Sequence, residues 1–129
     1  MAPLIYLDTH VAAWLFANRT ELLPAGVRTR LEKSDLLISP AVKLELQYLY
    51  EIRRITSSGE DIVKTLGQEV ALQVCDLPFL KVVDAALTAS WTRDPFDRVI
   101  ASQATLRGAA LLTKDRSLLT HCQWAEWPD

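Results

Sequence analysis

An α/β fold with a central, mostly parallel sheet of four to five strands is the architecture this sequence predicts. Three observations lead there. Short apolar runs alternate with longer segments of helical periodicity. The first two of these runs end at Asp8 and Ser39, residue types that commonly open a helix. Repetition of strand then helix is satisfied when helices cover both faces of a parallel sheet.

The elements follow in order. "PLIYLD" (3–8) reads as a buried strand and "THVAAWLFA" (9–17) as the helix after it. "VRTRLEKS" (27–34) is a polar-faced helix, and "DLLIS" (35–39) the second strand. Ser39-Pro40 supplies an N-cap and a proline at the first helical position, opening a helix that runs to about Arg54. Ser57-Ser58-Gly59 is a loop, and Ser58 with Asp61 resembles a capping box for a helix over 59–68. "ALQVCDL" (71–77) reads as the third strand. "PFLKVVDAALTASW" (78–91) has helical spacing at Phe79, Leu80, Val83, Ala86, Leu87 and Ser90. "RDPFDRVIASQA" (93–104) opens another helix, with Asp94 as N-cap, Pro95 at N1, Asp97 at N3 and closure near Gly108. "AALLT" (109–113) is the fourth strand, and "CQWAEW" (122–127) a short fifth at the edge.

The 129 residues, without repeat, low-complexity tract or linker, fit one domain over 1–129. Hydrophobic residues make up 50% and charged residues 23%, with a net charge of −2. That balance excludes a strongly basic nucleic-acid coat, so contact with nucleic acid requires a local site or help from cations. Cys75 and Cys122 form no CxxC pair, which argues against a zinc site or disulfide framework and for a reducing cytoplasm. The first residues lack a basic region, and Asp8 interrupts their apolar run, so no secretory leader is expected. No apolar run approaches the roughly 20 residues needed to span a bilayer.

In parallel α/β sheets, ligands sit beyond the carboxyl ends of the strands, where strand order reverses. Asp8 ends the first strand, Asp94 and Asp97 start the helix before the fourth, and Asp115 follows the fourth in "LLTKD". Each alone is explained as a helix cap; Asp115 would cap a turn in "RSLLT". Thr9 can cap the helix after Asp8, which would leave Asp8 free of that duty. Glu45 is harder to explain. At about 100° per residue from Ala41, Leu44 falls near 300°, Tyr48 near 340°, Ile52 near 20°, Leu49 near 80° and Val42 near 100°. Glu45 falls near 40°, in the middle of that apolar face, whereas Lys43, Gln47, Glu51 and Arg54 lie opposite. A carboxylate aimed at the core must be paired, as in a buried salt bridge, or share a cation. Four converging carboxylates repel one another unless a cation stands among them, and all-oxygen ligands select Mg²⁺ or Mn²⁺.

"YLDTH" (6–10), "ISPAVKLELQYLYEIRRI" (38–55), "RDPFDRVIASQA" (93–104) and "LLTKDRSL" (111–118) together resemble the PIN-domain nucleases, most closely the VapC-type toxins. The resemblance implies a three-layer α/β/α fold and a Mg²⁺- or Mn²⁺-dependent endoribonuclease that hydrolyses RNA. It maps Asp8, Glu45 and Asp97 onto the first three acids of the family's site, Asp115 onto the more variable fourth, and Thr113 onto the hydroxyl residue that orders it. Asp94 lies outside the acid set. Thr92 stands where many relatives carry histidine. The resemblance also implies a homodimer and a cognate antitoxin covering an apolar groove, for which Trp14, Leu15, Phe16, Tyr48 and Tyr50 are candidates, Tyr50 most of all. Arg98 and Arg116, each beside a site acid, are candidates to grip flanking phosphates; Arg98 could equally pair with an aspartate.

Two non-catalytic readings compete. A receiver-like domain requires an acidic pair after the first strand, a phosphorylatable Asp after the third and a late Lys; only Lys114 partly matches, and Glu45 has no role there. A PIN-like interaction domain without activity would not need the intact acid set. The four glycines form neither GxGxxG nor a P-loop, and His10 and His121 have no evident nucleophilic partner.

Overall fold

A computed structural model describes residues 2–129. Five strands form one sheet: β1 (Leu4–Leu7), β2 (Asp35–Ile38), β3 (Gln73–Val74), β4 (Ala110–Leu112) and β5 (Ala125–Glu126). Their order is β3-β2-β1-β4-β5, and every pairing is parallel. Helices α1 (Thr9–Phe16), α2 (Ala25–Lys33), α3 (Pro40–Glu51), α4 (Gly59–Val70), α5 (Phe79–Ala86), α6 (Pro95–Arg107) and α7 (Arg116–His121) connect the strands in an α/β/α sandwich, with a 3₁₀ turn at Thr20–Leu22. The chain steps outward from β1 to β2 to β3, then returns to place β4 on the other side of β1. The switch point of the sheet therefore lies between β1 and β4. A receiver-like domain has the order 2-1-3-4-5, so this topology sets that reading aside.

The central strands are apolar because both faces of the sheet are covered. Ile5, Tyr6 and Leu7 of β1, Ile38 of β2, and Leu111 and Leu112 of β4 are fully buried. Val11, Val42, Leu46, Ile62, Leu66, Ile100 and Leu118 close on them from the helices. Tyr6 is the largest of these side chains, and its hydroxyl lies 2.9 Å from Cys75 Sγ while accepting from Arg107 Nε at 3.0 Å. Cys75 and Cys122 are free and buried.

Local signals set the helix ends. Ser39 accepts from Ala41 N, Ser58 from Asp61 N, and Asp94 from Phe96 N and Asp97 N, as the capping patterns predicted. Gly108 closes α6 at φ 62°, a left-handed position that glycine adopts without steric cost.

Several boundaries differ from expectation. α2 begins at Ala25, and α3 stops at Glu51, where Arg53 takes φ 64° instead of continuing the helix to Arg54. β3 is two residues, and Ala71, expected to begin it, is instead the left-handed cap of α4 at φ 57°. α5 ends at Ala86 rather than residue 91. Its apolar residues divide: Val82 and Ala86 are buried, whereas Phe79, Leu80 and Leu87 are about 70% exposed. Counting apolar residues cannot tell a core stripe from an uncovered one.

Candidate active site

Asp8 follows β1, and its backbone N–H donates to Leu112 O of β4 at 3.0 Å, so it sits on the switch point. It is 6% exposed. Its Oδ1 accepts from Thr9 N at 2.8 Å, and its Oδ2 accepts from the Thr113 hydroxyl at 2.6 Å. Asp8 is therefore itself the N-cap of α1. Thr9 is not the cap: it is the first residue of the helix, 1% exposed, and its hydroxyl donates to Glu45 Oε1.

Glu45 reaches the site from α3, 36 residues further along the chain. It is half-buried, and the apolar face expected around it divides in two. Of its residues, Val42 enters the core and Leu49 is half-buried, while Leu44, Tyr48 and Ile52 are exposed; Leu46, outside the expected face, is buried. Glu45 lies at the boundary between the two groups, not in the middle of a buried face, and its partner is a hydroxyl rather than an arginine. Asp115 is exposed and caps α7, its Oδ1 accepting from Leu118 N at 2.9 Å. Its own N–H donates to Thr113 Oγ1 at 3.0 Å.

A hydrogen-bonded chain thus joins three acids through two threonines. It runs from Asp115 N–H to the Thr113 hydroxyl, on to Asp8, and through Thr9 to Glu45. Asp97, on the first turn of α6, has no side-chain partner in that chain. Burial, and then the charges of Asp94, Asp8, Asp115 and Glu45, push its carboxyl up to about 7. Burial also raises Asp8 and Glu45, opposed by their threonine hydrogen bonds and by the charge of nearby His10.

The expected acids thus share one electrostatic neighbourhood. As they stand, no three His, Cys, Asp or Glu side chains among the described residues are gathered tightly enough to hold a metal ion. Like charges at this spacing repel, so closing on one ion would require the carboxylates to turn inward. The donor set suits a hard divalent cation: every group is a carboxylate oxygen, with hydroxyls behind.

The remaining candidates divide. Arg98 meets neither an aspartate nor the open site: Nε donates to Thr92 O at 2.9 Å and Nη1 to Ala86 O at 3.5 Å, bracing the loop between α5 and α6. Thr92 accepts from Asp94 N at 3.1 Å through its hydroxyl, so it helps shape the start of α6. Arg116 is exposed, beside Asp115, and forms no ion pair among the described residues. Trp14, Leu15 and Phe16 are half-buried against the core, while Tyr48 and Tyr50 are exposed. Sequence reasoning missed Thr9 as a site residue. The only signal for it was its place directly after the first acid.

Known proteins share this arrangement of strands and helices. The family model described as PIN domain matches residues 5–121. Ribonuclease VapC22 of Mycobacterium tuberculosis is 32% identical over 119 residues, covering 91% of each chain. Among solved structures, VapBC2 from Rickettsia felis bound to a promoter DNA fragment superposes with a TM-score of 0.68 at 15% identity, covering 95% of this chain and 97% of that one. DNA-bound VapBC from Salmonella typhimurium superposes with a TM-score of 0.66 at 22% identity, covering 99% and 100%. At these identities the two structures establish the fold. Together with the sequence match along 5–121 and the 32% identical relative, they lead to one conclusion: the chain belongs to the PIN-domain family, in its VapC-type branch.

Proposed function

We propose that this protein is a divalent-cation-dependent endoribonuclease, acting as the toxin of a toxin–antitoxin pair. The observation that carries the reading is Asp97, a half-buried carboxylate held near three other acids at the switch point with its protonation pushed up to about 7. An arrangement so unfavourable to its own charges is suited to a cation. The 32% identical relative, named a ribonuclease, supports RNA as substrate.

Bound Mg²⁺ or Mn²⁺ would supply charge neutralisation at a scissile phosphate and activation of a water for attack. Asp8, Glu45 and Asp97 would hold it, with Asp115 completing the cluster directly or through water. Thr113 fixes the Asp8 carboxylate and ties it to the backbone before α7. The similar structures containing a toxin–antitoxin complex support an antitoxin partner, and the exposed Leu44, Tyr48, Tyr50 and Ile52 of α3 and its end offer it apolar surface. A homodimer fits the uncovered Phe79, Leu80 and Leu87. The net charge of −2 gives little general attraction for RNA, which again places the burden on a local cation site.

The test incubates purified protein with RNA in Mg²⁺ or Mn²⁺, alongside EDTA and Asp97→Asn controls. Cleavage lost in both controls is expected. Cleavage undiminished in both would sink the metal-nuclease mechanism.

A further inference from the structure

We infer that Thr9 is a positioning residue, whose hydroxyl holds Glu45 in place toward Asp8 and thereby sets the affinity of the acid cluster for a divalent cation. The inference rests on the metal-nuclease reading and assigns a role to a residue outside the four acids and Thr113.

Thr9 touches two acids at once. Its backbone N–H donates to Asp8 Oδ1 at 2.8 Å, and its hydroxyl donates to Glu45 Oε1. The backbone bond is available to any non-proline residue at this position. The hydroxyl bond is not, so the link between β1–α1 and α3 depends on this side chain. Thr9 is 1% exposed, which keeps water from replacing the hydroxyl and restricts its rotation.

The geometry also says what the bond does for Glu45. That side chain is half-buried, flanked by the exposed Leu44 and Tyr48, with open solvent on one side. The neighbouring carboxylate of Asp8 can only repel it, whereas the Thr9 hydroxyl donates to it. Without it, the cheapest response is for Glu45 to swing toward solvent, away from Asp8. With it, Oε1 is tethered, and the carboxylate would be kept where it could serve as a hard oxygen ligand for a divalent cation. Thr113 performs the equivalent task for Asp8 from the opposite side, so the two acids nearest the switch point are each oriented by a threonine.

The test measures Mn²⁺ binding directly, by calorimetry and by the electron paramagnetic resonance of free ion, on the full chain without RNA. Thr9→Val removes the hydroxyl at nearly constant shape, Thr9→Ser keeps it, and Thr9→Ala stands in if valine fails to fold. Thr9→Val or Thr9→Ala is expected to weaken Mn²⁺ by about 10–100-fold, the range for losing a group that orients a metal ligand. Thr9→Ser should remain within about threefold of wild type, and Thr9→Val should have no further effect in a Glu45→Gln background. A merely structural role would instead lower the melting temperature and leave affinity, and the coupling to Glu45, untouched. Equal Mn²⁺ affinity in Thr9→Val and wild type overturns the inference, as does a serine variant as weak as valine. Absence of Mn²⁺ binding by the wild type itself would overturn the metal-nuclease reading underneath, a separately visible result.

Discussion

The acidic site has two halves that differ in how the fold treats a carboxylate. In the half tied to the strand ends, Asp8 after β1, Glu45 reaching in from α3 and Asp115 after β4 are each given hydrogen-bond donors: two threonine hydroxyls and the amides of Thr9 and Leu118. On the helix side, Asp97 shares its neighbours' charge without sharing their donors. Asp94 takes the capping duty at the start of α6 and accepts from the Asp97 amide at 3.4 Å, so the backbone of Asp97 is satisfied while its carboxylate has no hydrogen-bond donor among the described residues. The strand half is arranged for position. The helix half is arranged for reactivity with a counter-charge, and the positive end of α6 eases the anion only in part. The contrast implies that removing Asp97 damages function and relieves the fold, whereas removing a donor from the strand half disturbs geometry.

The largest expected effect follows from that. Asp97→Asn keeps the shape of the side chain and removes its charge. RNA cleavage should fall by more than the roughly 10–100-fold typical of losing a supporting group, read as the single-turnover rate at saturating Mg²⁺. A rate within a few-fold of wild type would erase the distinction between the halves.

Thr113→Val comes next. It removes the donor to Asp8 Oδ2 and the acceptor for the Asp115 amide in one step. Cleavage should drop by about 10–100-fold. The Mn²⁺ midpoint should rise in parallel, because the loss acts through ligand orientation. A fall in rate with an unchanged metal titration would place Thr113 outside the site's support.

The pH dependence of stability separates the halves without any substrate. The folded-state value for Asp97, about 7, lies above its ordinary 3.8, so the folded protein holds this proton where the unfolded chain releases it. Stability from this group is fully present below about pH 4 and is lost as pH rises through about 7. In EDTA, the melting temperature of the wild type should therefore decline between pH 5 and pH 8. Asp97→Asn should flatten that decline and melt higher than wild type at pH 8. Mn²⁺ at pH 8 should recover the wild type and leave the variant nearly unmoved. A flat wild-type profile would mean that the acid is better solvated than its surroundings suggest.

What the sequence disclosed about the site follows the same division. The Asp94-Pro95-Phe96-Asp97 start of α6 was readable because capping is local, with donor and acceptor within three residues. Asp8 was readable as a strand end, since a parallel sheet covered on both faces makes its strands continuous apolar runs. Its capping role went to Thr9 by expectation and to Asp8 in fact. The Thr9–Glu45 bond spans 36 residues, and the Thr113–Asp8 bond 105, so no local pattern could pair them. The face of α3 was only half read. Angular position ranks residues around a helix but does not say how much of the circumference the neighbouring elements cover, and Leu44, Tyr48 and Ile52 fall outside that cover. The same reason leaves the spacing on α5 silent about which of its apolar residues are covered.

The two arginines offer the smallest effects and the finest comparison, since both were candidates on adjacency alone and the fold separates them. Arg98 spends its donors on the carbonyls of Thr92 and Ala86, closing the loop that delivers Asp94 and Asp97. Arg98→Ala should lower stability by ~1 kcal/mol, the scale of a hydrogen bond from a charged group that is partly exposed. It should leave the salt dependence of RNA binding unchanged. Arg116 makes no ion pair among the described residues and projects from the first turn of α7 beside Asp115. Arg116→Ala should leave the melting temperature in place and weaken RNA binding across sequences, reducing the slope of log Kd against log salt by about one, as the loss of a single phosphate contact does. Binding measured in Ca²⁺ over a range of KCl separates the two. If Arg98→Ala, and not Arg116→Ala, flattens the slope, the loop bracing in the free protein gives way when RNA binds, and adjacency to an acid was the better guide.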